Sequence, residues 1–154
     1  MDNWEKSVGK YLALDYGEKR LGLAISDVTR TIARPYRTLS AQSLKQIINE
    51  LRKIIEQENI EKIIVGLPRT LKGTDSRQTE VVREFVQELQ QRLTIPIVME
   101  DERLTTIQAH ATLHALGKKP SRHRDRVDQY AAVHLLQTVL DREKWQQKRD
   151  QEDE

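Results

Sequence analysis

Tyr11-Leu12-Ala13-Leu14-Asp15-Tyr16-Gly17-Glu18-Lys19-Arg20-Leu21-Gly22-Leu23-Ala24 sets two apolar segments of strand length around a short polar turn at Gly17. That is the pattern of a β-hairpin. Its first segment ends in a carboxylate just where the backbone turns. An acid at the end of a buried strand needs a partner, because an isolated buried charge is costly. The partners on offer are an Arg or Lys, backbone N–H groups, or a bound cation. Which of these Asp15 has largely decides what the chain does.

Working outward, residues 10–16 and 20–27 read as the two strands of the hairpin. A third strand spans Ile32 to Thr38, and Pro35 within it favours a sheet edge. Ser40 or Ser43 can cap a helix in which Leu44, Ile47, Ile48, Leu51, Ile54 and Ile55 recur at helical spacing. Lys62 to Pro68 reads as a buried parallel strand, followed by a polar, basic loop at 69–78. Val82, Phe85, Val86, Leu89 and Leu93 mark a second helix, and Ile95 to Glu100 a fifth strand. Thr105 or Thr106 can cap a short third helix that stops at Gly117, and a basic loop with Pro120 leads into a final helix from about Arg124 to beyond Asp141.

The order is therefore β-β-β-α-β-α-β-α-α. The first three strands are joined too tightly for crossovers and form an antiparallel meander. The later strands follow helices and run parallel to the first. The expectation is an α/β domain with a mixed five-stranded sheet and helices on both faces. Ligands in such sheets favour the carboxyl ends of the parallel strands, where Asp15 stands. The expected organisation is an N-terminal arm at 1–9, a domain at 10–141 and a charged, dispensable tail at 142–154.

With 154 residues the chain suits one domain with a real core. It has no cysteine, so disulfides and thiolate metal sites are excluded and its chemistry rests on oxygen or imidazole groups. No apolar run approaches ~18 residues, and Met1-Asp2-Asn3-Trp4-Glu5-Lys6 lacks the layout of a secretion signal. A soluble, cytoplasmic protein without a membrane partner is expected. Net charge is +2, but the last fourteen residues hold four basic and six acidic groups, which leaves +4 on residues 1–140. Lys118, Lys119, Arg122, Arg124 and Arg126 crowd one stretch, and Arg69, Lys72 and Arg77 another. Two basic loops suggest an anionic partner.

Two further regions can bring acids to Asp15. In the final helix Asp128 heads the stripe Asp128, Ala132, Leu136 and Leu140, beside Val127, Ala131, Leu135 and Val139. It therefore lies at the edge of the buried face, ahead of small residues that permit close approach. Asp125, one turn earlier, is either a second ligand or, the favoured reading, an N-cap. The other region, Glu100-Asp101-Glu102-Arg103, closes the fifth strand. Alternation puts Glu100 and Glu102 on one face and Asp101 on the other, leaving open which acid points at Asp15. Converging carboxylates make a hard oxygen site suited to Mg2+ or Mn2+, and such ions support phosphodiester cleavage. His110 and His114 read as an exposed helix face, and His123 is a weak proton-shuttle candidate.

The run 14–24 resembles the first motif of the YqgF-type (RuvX) family, related to Holliday junction resolvases. Val65-Gly66-Leu67-Pro68 with Lys72-Gly73-Thr74 is similar to the second motif, Asp101 to Thr106 to the third, and Val127-Asp128 with Ala131-Ala132 to the fourth. The resemblance implies an RNase H-like fold and a metal-dependent nuclease acting at the 5′ end of precursor 16S rRNA, with cleavage of DNA four-way junctions as an alternative. By motif position it implies Asp15, Glu102 and Asp128 as catalytic and metal-binding acids, with Asp101, also in the third motif, in second rank. Asp125 matches no family motif and joins the second rank because its pairing with Asp128 resembles the paired acids of junction resolvases. Arg20, Arg69, Lys72, Arg77, Lys118, Lys119, Arg122 and Arg124 are the expected nucleic-acid contacts. The expected partner is precursor rRNA, with branched DNA and a pre-ribosomal particle also open, and either a monomer or a homodimer. A non-catalytic RNA-binding factor on the same fold is the second alternative. An actin-like ATPase needs two such halves, and this length has room for one.

Overall fold

The computed structural model describes residues 9–17, 19–70, 72–103, 105–119 and 124–153, without the side chains of residues 105–107, 124 and 125. Its elements are β1 (Lys10–Tyr16), β2 (Arg20–Ser26), β3 (Ala33–Ser40), α1 (Leu44–Glu58), β4 (Ile60–Leu67), α2 (Arg77–Arg92), β5 (Ile97–Asp101), α3 (Thr105–Ala115) and α4 (Arg124–Glu152). The sheet order is β3-β2-β1-β4-β5. β2 runs antiparallel to both β1 and β3, while β4 is parallel to β1 and to β5. This is the mixed sheet expected from the chain order.

Local chemistry explains the boundaries. Ser43, not Ser40, caps α1 by accepting the Gln46 N–H, and Asn59 ends that helix in the left-handed region at φ 53°. Ser76 and Thr79 form a reciprocal capping box, so α2 starts at Arg77, inside what the sequence suggests is loop. α3 ends where Gly117 takes φ 73° and the Gly117 and Lys118 N–H groups return to His114 and Leu113. Pro35 lies on edge strand β3 at a register shift where Leu23 faces Arg37 and Ala24 faces Pro35, so the ladder loses nothing it needs.

The two sheet faces differ in side-chain size, and that difference positions the site. Leu12, Leu14, Leu21, Leu23, Ile25, Ile63, Val65 and Leu67 fill one face beneath α1 and α2. The opposite face presents Tyr11, Ala13, Ala24 and Ile64 to Ala132, Leu135, Leu136, Val139 and Leu140 of α4. Small residues let α4 lie close to the strands. At Gly22 the approach is so tight that a Cβ would overlap the backbone carbonyl of Asp128.

α4 continues unbroken through residues 142–152. Arg142 makes a bidentate pair with Glu100, both contacts 2.8 Å long. Glu143 accepts from the Tyr11 hydroxyl at 2.9 Å and from Lys62 at 3.2 Å. The Lys62 ammonium also sits 4.8 Å from the Tyr11 ring centroid. The first turn of the expected tail is thus fastened to the sheet. Among the described residues, no helix is long and apolar enough to cross a membrane.

Candidate active site

Three carboxylates from distant parts of the chain meet at the carboxyl edge of β1 and β4. Asp15 is delivered by β1, opposite Gly22 in the hairpin register, and is 7% exposed. By strand alternation it shares the α4 face with Tyr11 and Ala13. Glu102 follows β5 directly and is 8% exposed; its N–H is anchored on the Leu67 carbonyl at 3.2 Å. Its carboxyl lies over Gly66, where any Cβ would overlap it. Asp128, half-buried on α4, points at the hairpin turn: a Cβ on Gly17 would stand 3.6 Å from one of its carboxylate oxygens and 3.8 Å from the other.

Asp15 is hydrogen-bonded to both Glu102 and Asp128. Two carboxyl groups can share a hydrogen bond only when one carries a proton, so the Asp15–Glu102 pair holds a proton in the absence of a cation. Glu102 is the group that holds it. Burial, reinforced by the hydrogen bond to Asp15 and the charges of Asp15, Asp128 and Asp101, pushes its carboxyl up to about 11. Burial also raises Asp15, against the opposing effect of its hydrogen bonds to Glu102 and Asp128.

The donor chemistry fits a hard divalent cation, since all of it is carboxylate oxygen and its mutual repulsion is relieved by positive charge. The carboxyls are closed on one another, however. Among the described residues no group of three or more acids or histidines forms a preformed cage for a metal ion. Asp15, Glu102 and Asp128 could hold such an ion only with Glu102 freed of its proton.

The structure separates the two acids that alternation left open. Glu102 meets Asp15, whereas Asp101 turns to Arg103, with 3.0 Å from Asp101 Oδ2 to Arg103 Nε and a second bond of 3.0 Å from the Arg103 N–H. Asp125 lies within the first turn of α4 rather than ahead of it, so it is not the N-cap; its side chain lies outside the described residues. His110 and His114 are exposed, His134 shares a 2.8 Å hydrogen bond with Thr112, and His123 lies outside the described residues.

Of the expected nucleic-acid contacts, Arg20 is exposed at the start of β2, Lys72 is exposed in the loop after β4, and Arg77 is exposed at the first turn of α2. Arg69 is partly engaged, with Nε 3.4 Å from Asp75, which also binds Arg83 at 2.6 Å. Lys118 and Lys119 follow α3, the former half-buried. Arg122 and the side chain of Arg124 lie outside the described residues. Sequence reasoning missed the structural use of Gly66 and the position of Arg103. A lone glycine inside an apolar strand is a signal of close approach, and it was available for Gly66.

The model of the family described as RuvX, Holliday junction resolvase, matches residues 9–142. A relative from Chloroflexus aurantiacus, named "Putative pre-16S rRNA nuclease", is 40% identical over 130 residues, covering 84% of this chain and 85% of that protein. Relatives of the same name from Roseiflexus sp. and Rickettsia conorii are each 39% identical, covering 86% and 84% of this chain and 94% and 84% of their own lengths. Among solved structures, T. thermophilus RuvC in complex with a Holliday junction substrate superposes with a TM-score of 0.50 at 17% identity, over 86% of this chain and 93% of that one. The Fowlpox virus resolvase in complex with Holliday junction DNA gives 0.51 at 11% identity, over 86% and 97%. These two likenesses establish a resolvase-type fold.

Proposed function

Since this chain belongs to the RuvX family, we propose that it is a metal-dependent endonuclease whose Asp15, Glu102 and Asp128 cluster hydrolyses phosphodiester bonds of structured RNA, with the 5′ end of precursor 16S rRNA in the cytoplasm as its substrate. The observation that carries this reading is the convergence itself. Acids from β1 and the β5–α3 corner are buried against each other, with half-buried Asp128 of α4 closing the set, at an energetic cost that an RNA-binding module has no need to bear. The names of the relatives favour precursor rRNA among possible substrates.

Asp15, Glu102 and Asp128 would hold Mg2+ or Mn2+, which when bound supplies an acidified water and neutralises charge developing on the phosphate. The chain's own part is positioning. The β1–β2 ladder fixes Asp15, and α4 carries Asp128 down onto Gly22. Glu102 must release its proton before it can serve as an oxygen ligand. Arg20, Lys72 and the cations following α3 would steady the backbone, and trimming one RNA end requires only a monomer. A pre-ribosomal particle is the natural setting for that substrate.

The test is cleavage of a precursor 16S rRNA 5′ fragment with Mg2+ or Mn2+ by wild type and by Asp15→Asn. Wild type should cleave, and the variant should bind the RNA without cutting it. Equal cleavage by both would overturn the site. Binding without cleavage by wild type would favour the non-catalytic reading, and preferential cutting of a four-way DNA junction would favour the resolvase reading.

A further inference from the structure

Arg103 sits between Asp101 and the loop after β4. It follows Glu102 directly and leaves the β5–α3 corner with its side chain 42% exposed. One edge of the guanidinium is held by Asp101, with 3.0 Å between Nε and Oδ2. The other end reaches the loop after β4: a Cβ on Gly73 would stand 2.9 Å from Arg103 Nη1 and 3.6 Å from Cζ. Gly73 has φ +82°, in the left-handed region, so this loop both needs glycine for its turn and leaves a shelf on which the guanidinium rests. The turn is closed by Gly73 N–H to Thr70 O at 2.8 Å and Thr70 N–H to Thr74 O at 3.0 Å.

This placement answers an electrostatic problem that the acid cluster creates. Asp15, Asp128 and Asp101 gather negative charge around Glu102 at one edge, which repels a polyanion. An arginine fixed along one edge by a carboxylate still presents a planar fork of donors, and that fork matches a phosphate. Asp101 on one side and the Gly73 shelf on the other restrict the side chain to one orientation, so little rotamer freedom is left to lose when a phosphate arrives.

We propose that Arg103 is a substrate-binding residue that grips an RNA backbone phosphate beside the acid cluster, with Asp101 and Gly73 as the parts that hold it ready. The proposal rests on the nuclease reading above. It also gives Asp101 a role distinct from metal ligation.

The test uses the full chain carrying Asp15→Asn, so that binding is read without cleavage. A fluorescein-labelled precursor 16S rRNA 5′ stem-loop is titrated at 50 to 300 mM KCl. Arg103→Gln should weaken binding several-fold and reduce the slope of log Kd against log salt by about 0.7 to 0.9, one phosphate contact. Asp101→Asn, which frees the guanidinium but keeps its charge, should leave that slope unchanged. In the otherwise wild-type chain, Arg103→Lys should keep KM within a few-fold while lowering kcat, because a point charge replaces an oriented fork. An unchanged slope for Arg103→Gln overturns the proposal, as does the same loss for Asp101→Asn, which would make Arg103 only a brace for the loop. If the Asp15→Asn chain binds no RNA at all, the nuclease reading fails, and the inference falls with it.

Discussion

Replacing Glu102 by Gln should make the metal-free protein more stable at alkaline pH, although it removes a residue of the proposed site. The Glu102 carboxyl is raised from an ordinary value of 4.5 to about 11, so the native chain holds that proton more tightly than the unfolded chain does. A raised value contributes stability that is fully present below pH 4.5 and is lost as pH climbs toward 11. At about 1.4 kcal/mol per unit, the loss by pH 8 is at most about 5 kcal/mol. Relaxation of the carboxyls and entry of water at this open edge reduce it to about 2 kcal/mol. Glutamine does not titrate and its amide still donates to Asp15. With EDTA present, Glu102→Gln should therefore melt about 4–8 °C above wild type at pH 8 for a chain of this size, and the gap should close near pH 4.5. Thermal melts by circular dichroism across pH 4.5 to 9 measure this. A variant no more stable than wild type at pH 8, or a gap that does not change with pH, would refute the idea of a shared proton under strain.

Metal binding should reverse the order: Mn2+ or Mg2+ at pH 8 should raise the melting temperature of wild type by several degrees and that of Asp15→Asn and Glu102→Gln by far less. Calorimetry in buffers of different ionisation enthalpy should show at least one proton released per wild-type chain on metal addition. Gly66→Ala should push against the Glu102 carboxyl, costing about 1–3 kcal/mol in chemical denaturation and abolishing cleavage while the far-ultraviolet spectrum keeps its native shape. Truncation after Asp141 removes the partners of Tyr11, Lys62 and Glu100 and should lower the melting temperature by several degrees; truncation after Gln147 should be nearly neutral, and equal effects would show that Arg142 and Glu143 contribute nothing.

Much of the fold could be read from apolar spacing. The hairpin and the two amphipathic helices each carry a period that allows one answer, the apolar run at 62–68 reads as the buried strand found at Ile60–Leu67, and short connections or intervening helices fixed the strand directions. Asp15 and Asp128 were legible for the same reason, since each stands at a fixed phase of a periodic segment. Glu102 was harder. Alternation separated it from Asp101, but which face looks at Asp15 depends on how β5 pairs with β4, and only the register of Glu100 with Gly66 decides it. The reach of Arg103 to Gly73 and the contacts of Glu143 were not legible, although a local pair of Arg103 with Asp101 was one reading of the sequence. Their partners lie on Gly73, Tyr11 and Lys62, and a side chain's reach across a fold leaves no mark on local pattern.

The close seat of α4 on Gly22 has a consequence at the far end of the molecule. Asp128 and Glu143 are fifteen residues apart on one helix, a rod of about 22 Å. One end carries a site acid and the other is moored to Tyr11 and Lys62. A slip of one residue along that rod would swing Asp128 by about 100° away from Asp15. The mooring therefore works as a depth stop: the tyrosine and lysine at the rear edge of the sheet set how far the helix slides, and so whether the acids of the proposed site at the front are in register at all.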